Sequence, residues 1–263
     1  MKRTLLGTYL PHKLLLVLVV AFLYVPIGYI VLISFNQSTL FPFPFEFTLS
    51  HYRELLNSRE YFSALRNSLF IGLGSAVLSM VLGASAAWAV VRQNVRYRSL
   101  VLGVLLLPLV LPKLVIALAD SVLYAAVLPI PSGVVAAALT QAVYGISFGV
   151  LIMLAQMSRY PSQLDEAAKT YGADTFQRVR EVVLPIIWPG LLGAFLIPFI
   201  IAFNNFTLTF YTVGATTTLP TTTWGQLRHG IQPALFSLSA AIVIFSLVVI
   251  LGLFFVLRHI WTE

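Results

Sequence analysis

The chain of 263 residues contains no cysteine, and charged side chains make up only 10% of it. The absence of cysteine excludes disulfides, thiol catalysis and cysteine-based metal sites. The four histidines are far apart in the sequence and form no metal-ligand spacing. The sequence has no G-x-x-x-x-G-K-[ST] motif, so it lacks the P-loop that cradles nucleotide phosphates. It also shows no internal repeat and no low-complexity tract.

Apolar residues make up 59% of the chain, and the mean hydropathy is +0.93. A soluble domain needs far more polar surface than this. The apolar residues fall into blocks of about twenty, the length at which a helix crosses the hydrocarbon of a bilayer. Because backbone groups in lipid must be hydrogen-bonded within their own segment, we expect six transmembrane helices. The predicted spans cover residues 14–34, 68–91, 99–119, 134–156, 186–212 and 237–257.

The net charge of +7 is explained by membrane topology rather than by nucleic-acid binding. With the N-terminus inside, eleven lysines and arginines lie on the inner side and four on the outer side, while Lys113 lies within span three. Since Lys and Arg gather in cytoplasmic loops, both termini are predicted to be cytoplasmic. The charged loop at 158–185 is then cytoplasmic, and the threonine-rich segment at 213–236 faces out.

The loop at 158–185 predicts two short amphipathic helices. Gly172 should end the first helix, because glycine tolerates the left-handed conformation of a helix end. Asp174 or Thr175 can cap the second helix, and Pro185 is expected to end it. Surface helices with exposed apolar residues favour docking into a groove of a partner.

The same loop carries a spaced motif. Glu166-Ala167-Ala168 is followed after three residues by Gly172 and after nine more by Val182-Val183-Leu184-Pro185. This resembles the Glu-Ala-Ala motif in permeases of binding-protein-dependent ABC importers, which ends in Ile-x-Leu-Pro, and Val182 is the one departure. The resemblance implies a coupling helix seated in a cleft of an ATPase subunit. Glu166 would then make polar contact, Ala167 and Ala168 would allow close approach, and Gly172 would make the turn, with Leu184 and Pro185 completing the motif.

The resemblance extends over nearly the whole chain and, within the family, points to the polyamine (spermidine/putrescine) type. It implies an all-α type I importer permease fold in one domain over 1–263, with a first span that wraps a neighbour and core spans over 68–257. The partners it implies are two ATPase subunits that bind ATP and Mg, a solute-binding protein and a second permease, as a paralogue rather than a copy. It places the chain in the bacterial inner membrane, with no cofactor of its own.

Polar residues inside the spans mark a candidate solute pathway, because such residues are costly in lipid. Lys113 and Asp120 lie seven residues apart on span three. These two residues either line the pathway or form an ion pair, with each other or with a residue of another span. A further alternative for Asp120 is that it lies close enough to the outer surface to be solvated. A lysine here disfavours a polycationic solute and favours carboxylate or phosphate by Coulomb attraction.

The remaining pathway candidates lie on the next two spans. They are Gln141 and Tyr144 on span four and Asn204, Asn205 and Thr209 on span five. Hydrogen bonding between helices is the alternative role for the three residues on span five, and packing is the role favoured for the two on span four.

The predicted function is a non-enzymatic permease subunit for a small polar solute, polyamine-like or another small charged organic molecule. A stand-alone secondary transporter or channel is the alternative. That class predicts internal repeats and ion sites, and the sequence shows neither. A third possibility, an intramembrane enzyme, lacks a His/Glu metal set and any Ser–His spacing.

Overall fold

The computed structural model describes residues 4–38, 43–93, 95–228 and 233–262. Within these ranges all regular elements are helical, apart from an isolated antiparallel bridge between Asn36 and Phe47. The α-helices are α1 (Thr4–Ile33), α2 (Ser50–Asn57), α3 (Arg59–Arg92), α4 (Arg98–Val110), α5 (Lys113–Ala126), α6 (Val134–Met157), α7 (Ser162–Thr170), α8 (Thr175–Gln177), α9 (Leu184–Asn204), α10 (Phe206–Phe210), α11 (Leu219–Arg228) and α12 (Pro233–Thr262). A π-helix over Arg178–Val183 joins α8 to α9.

Five helical stretches are long and apolar enough to cross a membrane, or six when the bent pair α4–α5 counts as one span. They cover Lys13–Ile33, Arg59–Arg92, Val134–Met157, Thr175–Asn204 and Ala234–Gly252. The predicted all-α membrane fold is therefore confirmed, although several boundaries move. Span two, for example, begins at Arg59 rather than at residue 68.

Span three differs most from the prediction of one helix over 99–119. It consists of α4 and α5, whose axes meet at 105°. Leu111 and Pro112 between them are extended, with ψ of 142° and 130°. Pro112 has no amide hydrogen to donate, and a residue that precedes proline is disfavoured in the α conformation. The chain therefore breaks at Pro112, whereas Pro108 is accommodated inside α4.

Span five is also interrupted, in contrast to the continuous helix predicted over 186–212. α9 ends at Asn204, and Asn205 is extended with φ −85° and ψ 112°. The side-chain oxygen of Asn205 accepts a hydrogen bond of 3.1 Å from the Leu208 amide and so caps α10. An asparagine that caps a new helix competes with the continuation of the old one, which explains the break.

The chain divides into two compact units, and the first comprises residues 1–59 and 223–245. In this unit Ser237 donates a hydrogen bond of 3.2 Å to the carbonyl oxygen of Ser34. The hydroxyls of Ser34 and Tyr52 are 2.7 Å apart. The ring of Phe35 stacks on Phe47 and Tyr52, with centroids 5.8 and 5.1 Å away. These contacts tie the first loop to the end of α1.

The second unit comprises residues 60–222 and 246–263. Glycines let α3 and α6 cross closely, because a Cβ on Gly83 would lie 2.7 Å from the carbonyl carbon of Gly149. Small residues at contact points permit such an approach in lipid. A buried apolar cluster extends this packing to the loop after α6; it consists of Ala87, Met153, Met157, Tyr160, Val183, Ile187 and Ala194. The organisation of the chain as one domain stays a prediction.

Candidate coupling loop and polar site within the spans

The first helix of the loop at 158–185 is α7, and its end follows the predicted geometry. Gly172 has φ +83°, a conformation that residues with a Cβ rarely adopt. Its amide donates to the Lys169 carbonyl, and the Ala173 amide donates to the Ala168 carbonyl, both at 3.0 Å. These two bonds satisfy carbonyls that the end of α7 would otherwise leave open. The predicted turn at Gly172 is therefore present.

The second helix of the loop begins at a capping box. The Asp174 carboxylate accepts from the Gln177 amide at 2.8 Å, and the Gln177 side chain accepts from the Asp174 amide at 3.0 Å. The prediction that Pro185 ends this helix is wrong, since the helix runs on from Thr175 to Asn204. The preceding π-helix widens the turn where Pro185 cannot donate a hydrogen bond, which lets the helix continue.

An ion pair that the sequence patterns did not indicate joins the two helices of the loop. Nη1 of Arg178 lies 3.1 Å from Oδ1 of Asp165, and Nη2 of Arg178 lies 3.3 Å from the Thr175 hydroxyl. The charged residues are thirteen apart, so they do not follow the i, i+4 rule that identifies pairs within one helix. Only the turn at Gly172 brings them together.

The surface of the loop combines exposed acidic and apolar residues. Tyr171 is 92% exposed and Phe176 is 69% exposed, and the side chains of Leu164 and Glu166 also face outward. The motif residues Ala167 and Ala168 lie on α7 beside Glu166, whereas Leu184 and Pro185 lie exposed at the start of α9. Large apolar side chains held outside the spans are suited to a protein partner.

Within the spans, the structure brings Lys113 to Tyr144. Nζ of Lys113 lies 4.9 Å from the centroid of the Tyr144 ring, a cation–π contact at the break between α4 and α5. Lys113 and Asp120 form no ion pair with each other among the described residues. One carboxylate oxygen of Asp120 is enclosed and has no hydrogen-bond partner in the described part of the chain.

Gln141 and Thr209 meet in the interior. Nε2 of Gln141 donates a hydrogen bond of 2.9 Å to the Thr209 hydroxyl, and Gln141 is only 1% exposed. Asn204 points elsewhere, toward the Ile200 carbonyl at 3.0 Å and the Ser246 hydroxyl at 3.4 Å. Among the described residues, the side-chain oxygen of Gln141 and the side-chain nitrogen of Asn205 are buried without a partner.

Two further polar contacts join neighbouring spans. The Thr140 hydroxyl donates to the Tyr124 hydroxyl at 3.1 Å, and the Ser147 hydroxyl donates to the Leu105 carbonyl at 2.7 Å. The sequence shows that these hydroxyl groups lie in apolar helices, which indicates a polar contact, but it does not show which span each hydroxyl faces. Polar residues at two helix breaks within apolar spans are typical of a membrane transport protein.

Comparison with known proteins gives the family. The model of the family described as "binding-protein-dependent transport system inner membrane component" matches residues 79–260. The chain therefore belongs to this family of multi-pass inner-membrane permeases, and it is a permease subunit of an ABC importer. The resemblance inferred from the Glu166–Pro185 spacing is confirmed.

Two relatives come from Escherichia coli strain K12. The spermidine/putrescine transport system permease protein PotC is 25% identical over 233 residues, covering 88% of each chain. The putrescine transport system permease protein PotI is 26% identical over 237 residues, covering 87% of this chain and 84% of the relative.

Solved structures show the same fold. A bacterial ABC transporter involved in the import of the acidic polysaccharide alginate superposes with a TM-score of 0.65 at 19% identity, covering 98% of this chain and 95% of that one. The MetNI methionine ABC transporter gives a TM-score of 0.61 at 19% identity, covering 75% and 94%. The predicted ABC importer permease fold is thus confirmed.

Proposed function

We propose that this chain forms, with a second permease subunit that is a paralogue, a pathway for a small charged organic solute delivered by a binding protein. The observation that carries the proposal is the loop itself. It exposes Glu166, Tyr171 and Phe176 around the turn at Gly172, and its second helix runs without a break into span five. A partner that holds this loop would thus act directly on the spans.

The partners proposed for the loop are two ATPase subunits, which bind ATP and Mg and carry out the hydrolysis. This chain is a transport subunit rather than an enzyme, and it needs no cofactor. Glu166, Ala167, Ala168 and Gly172 would enter a cleft of one ATPase, while Leu184 and Pro185 start the helix that leads into the membrane. Closure of the ATPases would then bias the permease pair between inward-facing and outward-facing states.

The proposed orientation puts the loop at 158–185 and both termini in the cytoplasm. Hydrogen bonds support the placement of two segments at opposite ends of α3. Arg92 at its C-terminal end binds the Tyr160 carbonyl, and Asn67 near its N-terminal end binds the Thr217 carbonyl. The excess of Lys and Arg on the side of Arg92 supports a cytoplasmic position for that side.

The proposed solute pathway passes the helix breaks at Pro112 and Asn205. Broken helices commonly form solute sites in transporters, since they turn backbone groups toward the pathway. Lys113 and Tyr144 lie at one break, and Gln141 and Thr209 meet near the other. Asn204 and Asp120 complete the set of candidates. Relatives named for spermidine and putrescine support a polyamine-like solute, whereas the charge of Lys113 favours a solute with carboxylate or phosphate.

Co-purification tests the proposal against a stand-alone transporter. The tagged chain is expressed in its own host, solubilised in mild detergent and purified. We expect an ATPase subunit to co-purify at a fixed ratio and the reconstituted complex to hydrolyse ATP. Recovery of the chain alone, with solute uptake that needs no ATP, would support a secondary transporter or channel instead.

A further inference from the structure

A junction between α3 and the loop connects two elements that are far apart in sequence. Nη2 of Arg92, the last residue of α3, donates a hydrogen bond of 3.0 Å to the carbonyl oxygen of Tyr160. The same guanidinium lies 4.4 Å from the centroid of the Tyr160 ring and 5.9 Å from that of Trp88. Tyr160 is 5% exposed and belongs to the buried cluster that also contains Val183 of the loop.

The Tyr160 ring and carbonyl, rather than its hydroxyl, make this junction. The hydroxyl is buried and has no hydrogen-bond partner among the described residues. Burial raises the pKa of the Tyr160 phenol above its ordinary value; the charge of Asp165 adds to the shift, and the charges of Arg92 and Arg178 oppose it without reversing it. The phenol therefore stays neutral at physiological pH and forms no ion pair with Arg92.

At its other end α3 holds the outer segment, defined here as residues 213–222. Nδ2 of Asn67 donates to the Thr217 carbonyl at 2.9 Å, and the Leu219 amide donates to the Ser68 hydroxyl at 2.9 Å. Ser68 and Arg92 belong to one unbroken helix. At 1.5 Å per residue they are separated by about 36 Å, which exceeds the thickness of the hydrocarbon.

We propose that Arg92 is a positioning residue that fastens the loop to α3 through Tyr160, so that α3 carries movement of the loop to the outer segment. This inference rests on the function proposed above. The loop is continuous with α6 and α9, so it moves them through the backbone. α3 has no such covalent connection to the loop, so movement reaches it only through non-covalent contacts, of which the Arg92 junction is one. A helix with a specific junction at each end transmits displacement because its interior is rigid.

The absence of native cysteine allows a direct test. An Ala215→Cys substitution places a thiol on an exposed position of the outer segment, away from the contacts of Asn67 and Ser68. The purified complex in lipid nanodiscs is treated with a maleimide probe, first without nucleotide and then trapped with ATP and vanadate. We expect trapping to change the labelling rate about fivefold or more, as a typical coupling between sites would.

Adding Arg92→Ala should abolish this change while the ATPase still co-purifies and basal ATP hydrolysis continues. Tyr160→Ala should do the same because it removes the ring against which the Arg92 guanidinium packs, and Tyr160→Phe should retain the change because it keeps that ring. Arg96→Ala is the matched control, because the Arg96 guanidinium lies over the ring of its neighbour Tyr97, 5.1 Å from the centroid, rather than over a residue of the loop. Asn67→Ala should weaken the response from the other end of α3.

Two results would overturn the inference. One is a nucleotide-dependent labelling change in the Arg92→Ala complex equal to that of the unmodified Arg92 complex. The other is a loss of the change in Tyr160→Phe as complete as in Tyr160→Ala. A different outcome is that the ATPase fails to co-purify with the unmodified chain. That result overturns the proposed function itself, and the inference with it.

Discussion

Arg178 and Asp165 hold the two helices of the loop at 158–185 together with a contact of 3.1 Å between Nη1 and Oδ1. The side chains are 15% and 28% exposed, so the pair is partly shielded from water. The contact closes the angle formed at Gly172 and thereby fixes how the loop presents Glu166 and Tyr171. The pair is a property of the folded loop and not of either helix alone.

The first prediction concerns this pair. Asp165→Asn should loosen the loop by about 1 kcal/mol, the upper range for an exposed pair, and should lower the affinity for the ATPase several-fold. The measurement is ATPase binding to the nanodisc-held permease by surface plasmon resonance. Combining Asp165→Arg with Arg178→Asp should restore part of the affinity, whereas additive losses in the double variant would show that the two charges do not interact.

The second prediction concerns the turn. Gly172→Pro cannot adopt φ +83° and also loses the amide that donates to Lys169, so ATP-driven uptake should disappear. Gly172→Ala should keep the amide but carry a conformational cost of about 1 kcal/mol, with a smaller loss of uptake. The measurement is initial uptake into proteoliposomes that contain the whole complex, with the solute chosen from a panel of polyamines and small carboxylates by its uptake with the unmodified protein.

Gly103→Ala is the control for the turn variants, because a Cβ at Gly103 meets no atom within 4 Å. It should transport like the unmodified protein. Full uptake by the Gly172→Pro variant, with its membrane insertion verified, would contradict the role assigned to this turn.

The third prediction concerns solute contact within the spans. If Lys113 lines the pathway, Lys113→Gln should lower uptake of an anionic solute by about tenfold or more, since a charge-assisted contact contributes roughly 1.5–3 kcal/mol. Lys113→Arg should retain most of the uptake because it preserves both the charge and the contact with the Tyr144 ring. The measurement is uptake with a panel of solutes that includes spermidine, putrescine and small carboxylates.

Arg98→Gln removes a positive charge from an exposed position at the start of α4 and serves as the control for Lys113→Gln. If the Lys113→Gln variant takes up every transported solute as fast as the unmodified protein does, Lys113 has a structural role in its contact with Tyr144 and does not bind solute.

The fourth prediction concerns helix packing. Gly149→Ala places a Cβ against the Ser79 carbonyl, and helix α6 would have to move away from α3. Such overpacking costs about 1–3 kcal/mol, so the midpoint of thermal unfolding in detergent should fall by several degrees. Gly103→Ala should leave the midpoint unchanged. If the Gly149→Ala variant unfolds at the same midpoint as the unmodified protein, the crossing of α3 and α6 is looser than the structure indicates.

The sequence predicted those features that depend on local chemistry. The number of spans follows from the length of apolar blocks, and the turn of the loop follows from Gly172, because glycine is the residue best suited to the left-handed conformation. The cap at Asp174 is equally local. These features need no knowledge of neighbouring helices.

The features that were missed or mispredicted are of two kinds. Some depend on whether a helix continues or breaks at a proline, and others depend on contacts between distant segments. Pro112 breaks its span while Pro189 and Pro198 do not, and the sequence gives no measure of which proline is accommodated by its surroundings. Pro185 lies in a continuous helix because a π-helix precedes it. The Gln141–Thr209 hydrogen bond joins residues 68 positions apart and could not be foreseen from helix periodicity.

Attachment of an ATPase to the loop is tested most directly by a single thiol at its most exposed aromatic position. The Tyr171→Cys variant, in a chain with no other cysteine, is expressed in cells together with the complete complex. Labelling is compared between intact cells and inverted membrane vesicles prepared from them. We expect an impermeant maleimide to label it only in inverted vesicles stripped of the ATPase, and a short bifunctional reagent to cross-link it to the ATPase when that subunit is present. Labelling from outside intact cells, or labelling unaffected by the ATPase, would contradict the account.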